Sequence, residues 1–118
     1  MRGLLSLGSR LQRWARMGLF AASALFGAGS DAVAAPKSHT VVIEAMQFAP
    51  QTTEVKVGDT VVWKNKDFFP HTASANDRSF DSGEIATNRS WKFKTRKKGA
   101  FPYVCKLHPT MKGVLRVK

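Results

Sequence analysis

Seven consecutive residues near the C-terminal end constrain this chain more than any other segment, because they carry three metal-binding side chains. The stretch runs from Cys105 to Met111 with His108 between them, in the order Cys-x-x-His-x-x-Met. A thiolate, a neutral imidazole and a weak thioether suit copper that cycles between Cu(I) and Cu(II). If the stretch forms a metal site, one ligand is still missing, and another part of the chain should supply it.

The N-terminal residues have the composition of an export signal. Residues 1–16 carry four arginines and no acid, residues 17–29 form an apolar run, and Ala32-Val33-Ala34 has the pattern of a cleavage site. This order is typical of a secretory signal peptide, and the apolar run is shorter than the roughly 20 residues that span a bilayer. We predict that residues 1–34 are cleaved and that residues 35–118 form one domain in the periplasm, with a retained membrane anchor as the alternative.

Export would also account for the single cysteine and narrow the choice of partners. Cys105 has no second cysteine to pair with, so in an oxidising compartment it must be protected, paired between chains or bound to metal. Residues 35–118 contain 15 Lys and Arg against 7 acids, a net charge of about +8 that favours acidic partners. Nucleic acid is disfavoured, because export separates the protein from it and no nucleic-acid motif is present.

The residues after the predicted cleavage site have the alternation of short β-strands. Three segments alternate apolar and polar side chains, and three more are rich in β-branched or aromatic residues: 53–57, 60–65 and 90–95, then 40–46, 100–105 and 114–117. Glycines and prolines separate these segments, and no window has an apolar period of 3.6 residues. The pattern predicts an all-β Greek-key sandwich of about seven to eight strands.

Two further histidines could supply the missing ligand. His39 lies close to the predicted new N-terminus, and we expect it to be an ordinary exposed residue. His71 follows the apolar segment Phe68-Phe69-Pro70 at the end of a predicted strand, where a stiff loop can hold a side chain. Taken alone it would more often be a buried histidine than a ligand. It lies 34 positions before Cys105, so it comes from a different strand, and we favour it as the fourth ligand.

Together these residues resemble the type 1 (blue) copper proteins of the cupredoxin family, and the Cys-x-x-His-x-x-Met spacing is that of the amicyanin branch. The likeness covers nearly all of residues 40–118, through Val57-Gly58-Asp59-Thr60-Val61, Trp63-x-Asn65 and the strand before Cys105. It implies a plastocyanin-like domain with one copper ion on four ligands: His71, Cys105, His108 and Met111. It also implies an electron carrier with no catalytic residue, not an enzyme; copper scavenging, delivery or homeostasis is the alternative.

The resemblance further implies how such a protein would meet its partners. The edge of His108 would reach the surface within an apolar collar, flanked by Lys106 and Lys112. The collar would consist of Pro70, Leu107, Pro109 and Phe68 or Phe69. We therefore expect a monomer without stable membrane insertion that meets an acidic redox partner, such as a cytochrome or a periplasmic dehydrogenase.

Two residues depart from the family pattern. Thr72 stands where the family commonly has an asparagine that ties the two ligand loops together, and a hydroxyl offers fewer hydrogen-bonding groups than an amide. Leu107 stands where amicyanin has a proline, and it carries an N–H that proline lacks. If this N–H pointed at the Cys105 sulfur it would favour Cu(I), so that Leu107→Pro would lower the reduction potential.

The basic run from Lys92 to Lys98 has two interpretations. Alternate lysines on a strand followed by a charged turn usually form a solvated face that protects a sheet edge from pairing. A dedicated docking patch is the alternative.

Overall fold

The computed structural model describes residues 34–118, so the predicted signal peptide lies outside the described residues except for Ala34. These residues form eight strands: β1 Ser38–Glu44, β2 Gln47–Ala49, β3 Thr52–Val55, β4 Thr60–Asn65, β5 Ser74–Ala75, β6 Ser90–Lys94, β7 Gly99–Val104 and β8 Lys112–Val117. Within this part of the chain no helix is long and apolar enough to cross a membrane.

The strands form two four-stranded sheets that face each other. One sheet has the order β2-β1-β4-β6, and the other has the order β3-β8-β7-β5. The pairs β1–β4 and β3–β8 are parallel, and the remaining pairs are antiparallel. This arrangement confirms the predicted all-β sandwich.

An aromatic cluster lies between the sheets. The alternation of β4 turns Val61 and Trp63 inward, and both are fully buried. The Trp63 ring lies 5.4 Å from Phe80 and 5.5 Å from both Trp91 and Tyr103. Full burial of one large apolar side chain contributes about 1.5–3 kcal/mol. The cluster therefore fixes how the two sheets stack, and Phe80 contributes to it from a loop that no strand pattern identifies.

The hairpin of β7 and β8 sets the position of the Cys105–Met111 loop. Val104 pairs with Lys112, so the seven residues between them close one end of the hairpin. Within the loop, the N–H of Cys105 donates to the carbonyl of Met111 (3.1 Å), and the N–H of Met111 donates to the carbonyl of His108 (2.9 Å). The loop is thus closed by its own backbone, at the same end of the sandwich where β4 leads into His71.

Candidate metal centre

Three of the four predicted ligand side chains meet at this end of the sandwich. Cys105 Sγ lies 3.7 Å from Nδ1 of His71 and 3.7 Å from Nδ1 of His108, and the two nitrogens are 3.2 Å apart. The point equidistant from these atoms lies about 2.1 Å from each, close to the ~2.0–2.1 Å at which imidazole nitrogen binds a metal such as zinc. The three donors can therefore bind a single ion.

Met111 ends the same loop in the interior of the protein. Its side chain is 3% exposed. Its backbone is hydrogen-bonded to the backbones of Cys105 and His108, which holds Met111 in the same closed loop as these two donors. Cys105 and His71 are fully buried, whereas His108 is half-buried. The set of one thiol, two imidazoles and one thioether fits type 1 copper, because soft sulfur donors and imidazole suit both Cu(I) and Cu(II).

Asp67 orients His71. Its Oδ2 accepts a hydrogen bond from Nε2 of His71 at 2.8 Å, which leaves Nδ1 free to bind a metal. The carboxylate also accepts the N–H groups of Ala45 and Met46, at 2.8 and 3.0 Å. Burial opposes the ionisation of Asp67, but these N–H groups and the imidazole outweigh it and hold the pKa of Asp67 below its ordinary value. Such a carboxylate fixes both the tautomer and the direction of a metal-binding imidazole.

Asn65 stiffens the loop that carries Asp67 and His71. Its side chain is fully buried, and its Nδ2 donates to the carbonyls of Phe69 (2.8 Å) and Ile85 (2.9 Å). Its Oδ1 accepts the N–H of Asp67 at 2.8 Å. The backbones of His71 and Ile85 bond to each other in both directions. The three hydrogen bonds of the Asn65 side chain therefore hold the loop at Asp67 and Phe69 and anchor it to the backbone of Ile85.

Thr72 connects the two ligand loops. Its N–H donates to Cys105 Sγ at 3.3 Å, and its Oγ1 accepts the N–H of Lys106 at 2.8 Å. The Ser74 hydroxyl lies 3.0 Å from Thr72 Oγ1 and 2.9 Å from Asp81 Oδ1, and Asp81 forms an ion pair with Lys106. We call this set, Thr72, Ser74, Asp81 and Lys106, the loop tie. It joins the loops at the position where the family commonly has an asparagine.

Two expectations change with the structure. Within residues 34–118, Cys105 Sγ accepts a hydrogen bond from the Thr72 N–H and none from Leu107, so the expected effect of Leu107→Pro on the potential loses its basis. His39 is half-buried and not simply exposed, because its Nε2 lies 2.9 Å from Asp59 Oδ2. It is not part of the donor group.

Sequence reasoning missed Asp67, Ser74 and Asp81. The spacing Asp67-x-x-x-His71 is the one signal that could have suggested the first of them, although in a loop such spacing does not fix contact. Nothing in the sequence links Asp81 to Lys106, which is 25 positions away. Their roles depend on the path of the backbone.

Exposed apolar residues flank the ligands His71 and His108 along the chain. Phe68, Phe69 and Leu107 are 91%, 58% and 44% exposed, and Pro70 and Pro109 are exposed beside them. The Phe69 ring lies 6.5 Å from the His108 ring. We call these five residues the His108 patch; exposed apolar groups clustered in this way mark interaction surfaces.

The fold and the donor set define a copper-binding β-sandwich. Residues 17–117 match the family described as Cupredoxin-like domain, and the chain belongs to the cupredoxins. It is 30% identical over 112 residues to amicyanin-alpha of Methylorubrum extorquens, covering 88% of this chain and 94% of the relative.

Two solved structures extend the comparison. A Cu(I) structure of an amicyanin mutant aligns with a TM-score of 0.64 at 26% identity, over 69% of this chain and 82% of that chain. A copper-containing nitrite reductase from Thermus scotoductus SA-01 aligns with a TM-score of 0.65 at 29% identity, over 69% of this chain but 22% of the reductase. Both an amicyanin and one part of a larger enzyme thus share this sandwich.

Proposed function

We propose that this protein is a periplasmic blue-copper carrier of single electrons, with His71, Cys105, His108 and Met111 as the copper ligands. The observation that best supports the proposal is the triangle of Cys105 Sγ and the two histidine Nδ1 atoms, whose size matches one bound ion. Copper bound there would supply one-electron chemistry between Cu(I) and Cu(II).

The residues of the site each have a role in this proposal. Cys105 would bind as the thiolate, with its negative charge stabilised by the Thr72 N–H. His71 would bind through Nδ1 because Asp67 occupies Nε2, and Met111 would be the weak axial ligand. These hydrogen bonds exist independently of any ion. The donors therefore need little rearrangement when an electron arrives or leaves.

Electron exchange would occur through the half-buried edge of His108. The His108 patch would exclude water from the contact, and the net charge of about +8 would attract an acidic redox partner such as a cytochrome or a periplasmic dehydrogenase. Lys106 is partly neutralised by Asp81, so Lys112 would contribute more of the local positive charge. Transfer between monomer and partner should slow as salt rises; rates that do not depend on ionic strength would remove the electrostatic part of this proposal.

The proposal includes export through residues 1–34, followed by cleavage, and it favours a carrier over a protein that scavenges or delivers copper. The burial of Cys105, His71 and Met111 supports this preference, because an ion that must be handed over needs accessible donors. Copper exchange with a chelator should be slow while reduction and reoxidation are fast. The proposal also assigns no enzyme activity, so the reduced protein should not turn over nitrite.

The test is the visible spectrum of the purified protein after addition of Cu(II). An intense thiolate-to-copper band should give a blue colour, should disappear on reduction and return on oxidation, and should be absent in Cys105→Ser. Lack of the band in protein with a reduced Cys105 thiol would overturn the blue-copper assignment.

A further inference from the structure

A groove lies at the end of the sandwich opposite the metal donors. It has a volume of about 450 Å³ and lies beside β6, where it is bordered by the ends of β7 and β8. In this hairpin Val117 pairs with Gly99, whereas Lys112 pairs with Val104 next to the donors. Five residue-to-residue steps along β8 separate Lys112 from Val117, a distance of about 17 Å at roughly 3.3 Å per residue. The groove is therefore separate from the metal centre.

The floor of the groove is apolar. Phe80, Phe101 and Val117 are buried, and Phe93 is half-buried with its ring 4.9 Å from that of Phe80. Thr95 also lines the groove, but its hydroxyl already lies within hydrogen-bonding distance of two backbone carbonyls. The floor therefore offers a surface for hydrocarbon or an aromatic ring and no free polar group.

The rim of the groove is cationic. Lys92, Lys94, Arg96 and Lys97 line it, no Asp or Glu does so, and within residues 34–118 none of the four forms an ion pair. Asp77 interacts electrostatically with Lys97, but the two do not form an ion pair, and the Asp77 carboxylate accepts a hydrogen bond from the Ser79 N–H. Four unpaired cations around an apolar floor repel each other, and an anion held between them would relieve that repulsion.

Protection of a sheet edge does not explain the whole feature. β6 is an edge strand, and Lys92 and Lys94 on it are typical of an edge that avoids pairing. Such protection requires neither the concave aromatic floor nor Arg96 and Lys97 beyond the strand. A second copy of the chain would bring like charges together, and a flat membrane surface would not fill a cavity.

We propose that this groove binds a small, free amphiphilic anion with one hydrocarbon or aromatic body and one carboxylate-like head. The body would lie on Phe80, Phe93 and Phe101, and the head would meet Lys94 and Arg96. A volume of about 450 Å³ falls within the ~300–1,000 Å³ of small-molecule sites, which are mostly apolar with a few polar groups.

The test is an amide NMR titration of the purified, reduced protein with octanoate below its micelle concentration. Saturable binding of one octanoate should shift the amides of Phe93, Thr95 and Phe101 and leave those of His71 and His108 unchanged. Acetate lacks the hydrocarbon chain and 1-octanol lacks the charge, so each should bind at least about tenfold more weakly than octanoate.

Two charge-reversal double variants distinguish the effect of the groove residues on octanoate affinity from the effect of net charge. Lys94→Glu/Arg96→Glu should weaken octanoate binding about tenfold or more, because two charge-assisted contacts are lost. Lys64→Glu/Arg89→Glu changes the net charge equally at exposed residues outside the groove and should bind octanoate almost normally. Equal losses in both variants, equal binding of acetate, or binding to anionic phosphatidylglycerol vesicles without binding to octanoate would each overturn the proposal.

Discussion

Replacing Thr72 by valine tests whether the loop tie stabilises the metal centre before any ion is bound. Valine keeps the shape of threonine but removes the oxygen that accepts the Lys106 N–H at 2.8 Å. That N–H is part-buried, and leaving such a donor without an acceptor costs about 1–3 kcal/mol. Ser74 keeps Asp81 as an acceptor, so no second group loses its partner. We therefore expect the free energy of unfolding to fall by about 1–3 kcal/mol.

Thr53 provides a control of the opposite sign. Its Oγ1 is buried and has no hydrogen-bond partner within residues 34–118. Thr53→Val makes the same chemical change at a hydroxyl that has lost its hydration and gained no hydrogen bond in return. It should therefore be neutral or stabilise the protein by up to about 1–3 kcal/mol. Urea unfolding of the metal-free protein, followed by tryptophan fluorescence, measures both variants. If Thr72→Val is no less stable than Thr53→Val, the loop tie does not have the role assigned to it.

Three further predictions concern the ligands and the acid stability of the fold. Asp67→Ala should weaken copper binding roughly 10–100-fold in competition with a chelator, because His71 loses the group that orients it. Met111→Leu should keep the blue colour and raise the reduction potential, because loss of a weak axial donor destabilises Cu(II) more than Cu(I). The N–H groups of Lys37 and Lys56 help to lower the pKa of Asp59 to about 2, below the value of an aspartate in an unfolded chain. The ionised Asp59 carboxylate therefore stabilises the fold above pH ~4, and this stabilisation is lost as the pH falls towards 2. Asp59→Asn should accordingly be less stable than wild type at pH 7, with the difference disappearing near pH 2 in urea unfolding; a constant difference would contradict this.

The donors and the position of Thr72 between the two ligand loops could be predicted from the sequence, but Asp67, Ser74 and Asp81 could not. Cys105, His108 and Met111 fall within one short loop, so their spacing alone constrains them to one region. The inward direction of Trp63 follows from a strand period of two residues. In contrast, Asp81 reaches Lys106 across 25 positions, and that contact depends on a loop path that no periodic pattern specifies.

Two hydrogen-bond networks hold the upstream and downstream ligands, and their connection through Thr72 matters for electron transfer. Asp67 and Asn65 fix His71 from one side, through bonds to backbone that does not belong to the Cys105–Met111 loop. Thr72, the next residue, bonds to both Cys105 and Lys106 and so couples the upstream ligand to the downstream loop. A metal ion bound between His71 and the Cys105–Met111 loop therefore cannot move one ligand towards the geometry that the ion prefers without straining hydrogen bonds in both networks. Because neither network needs the ion, the same donor positions should persist in both oxidation states, which is the condition for rapid exchange of single electrons.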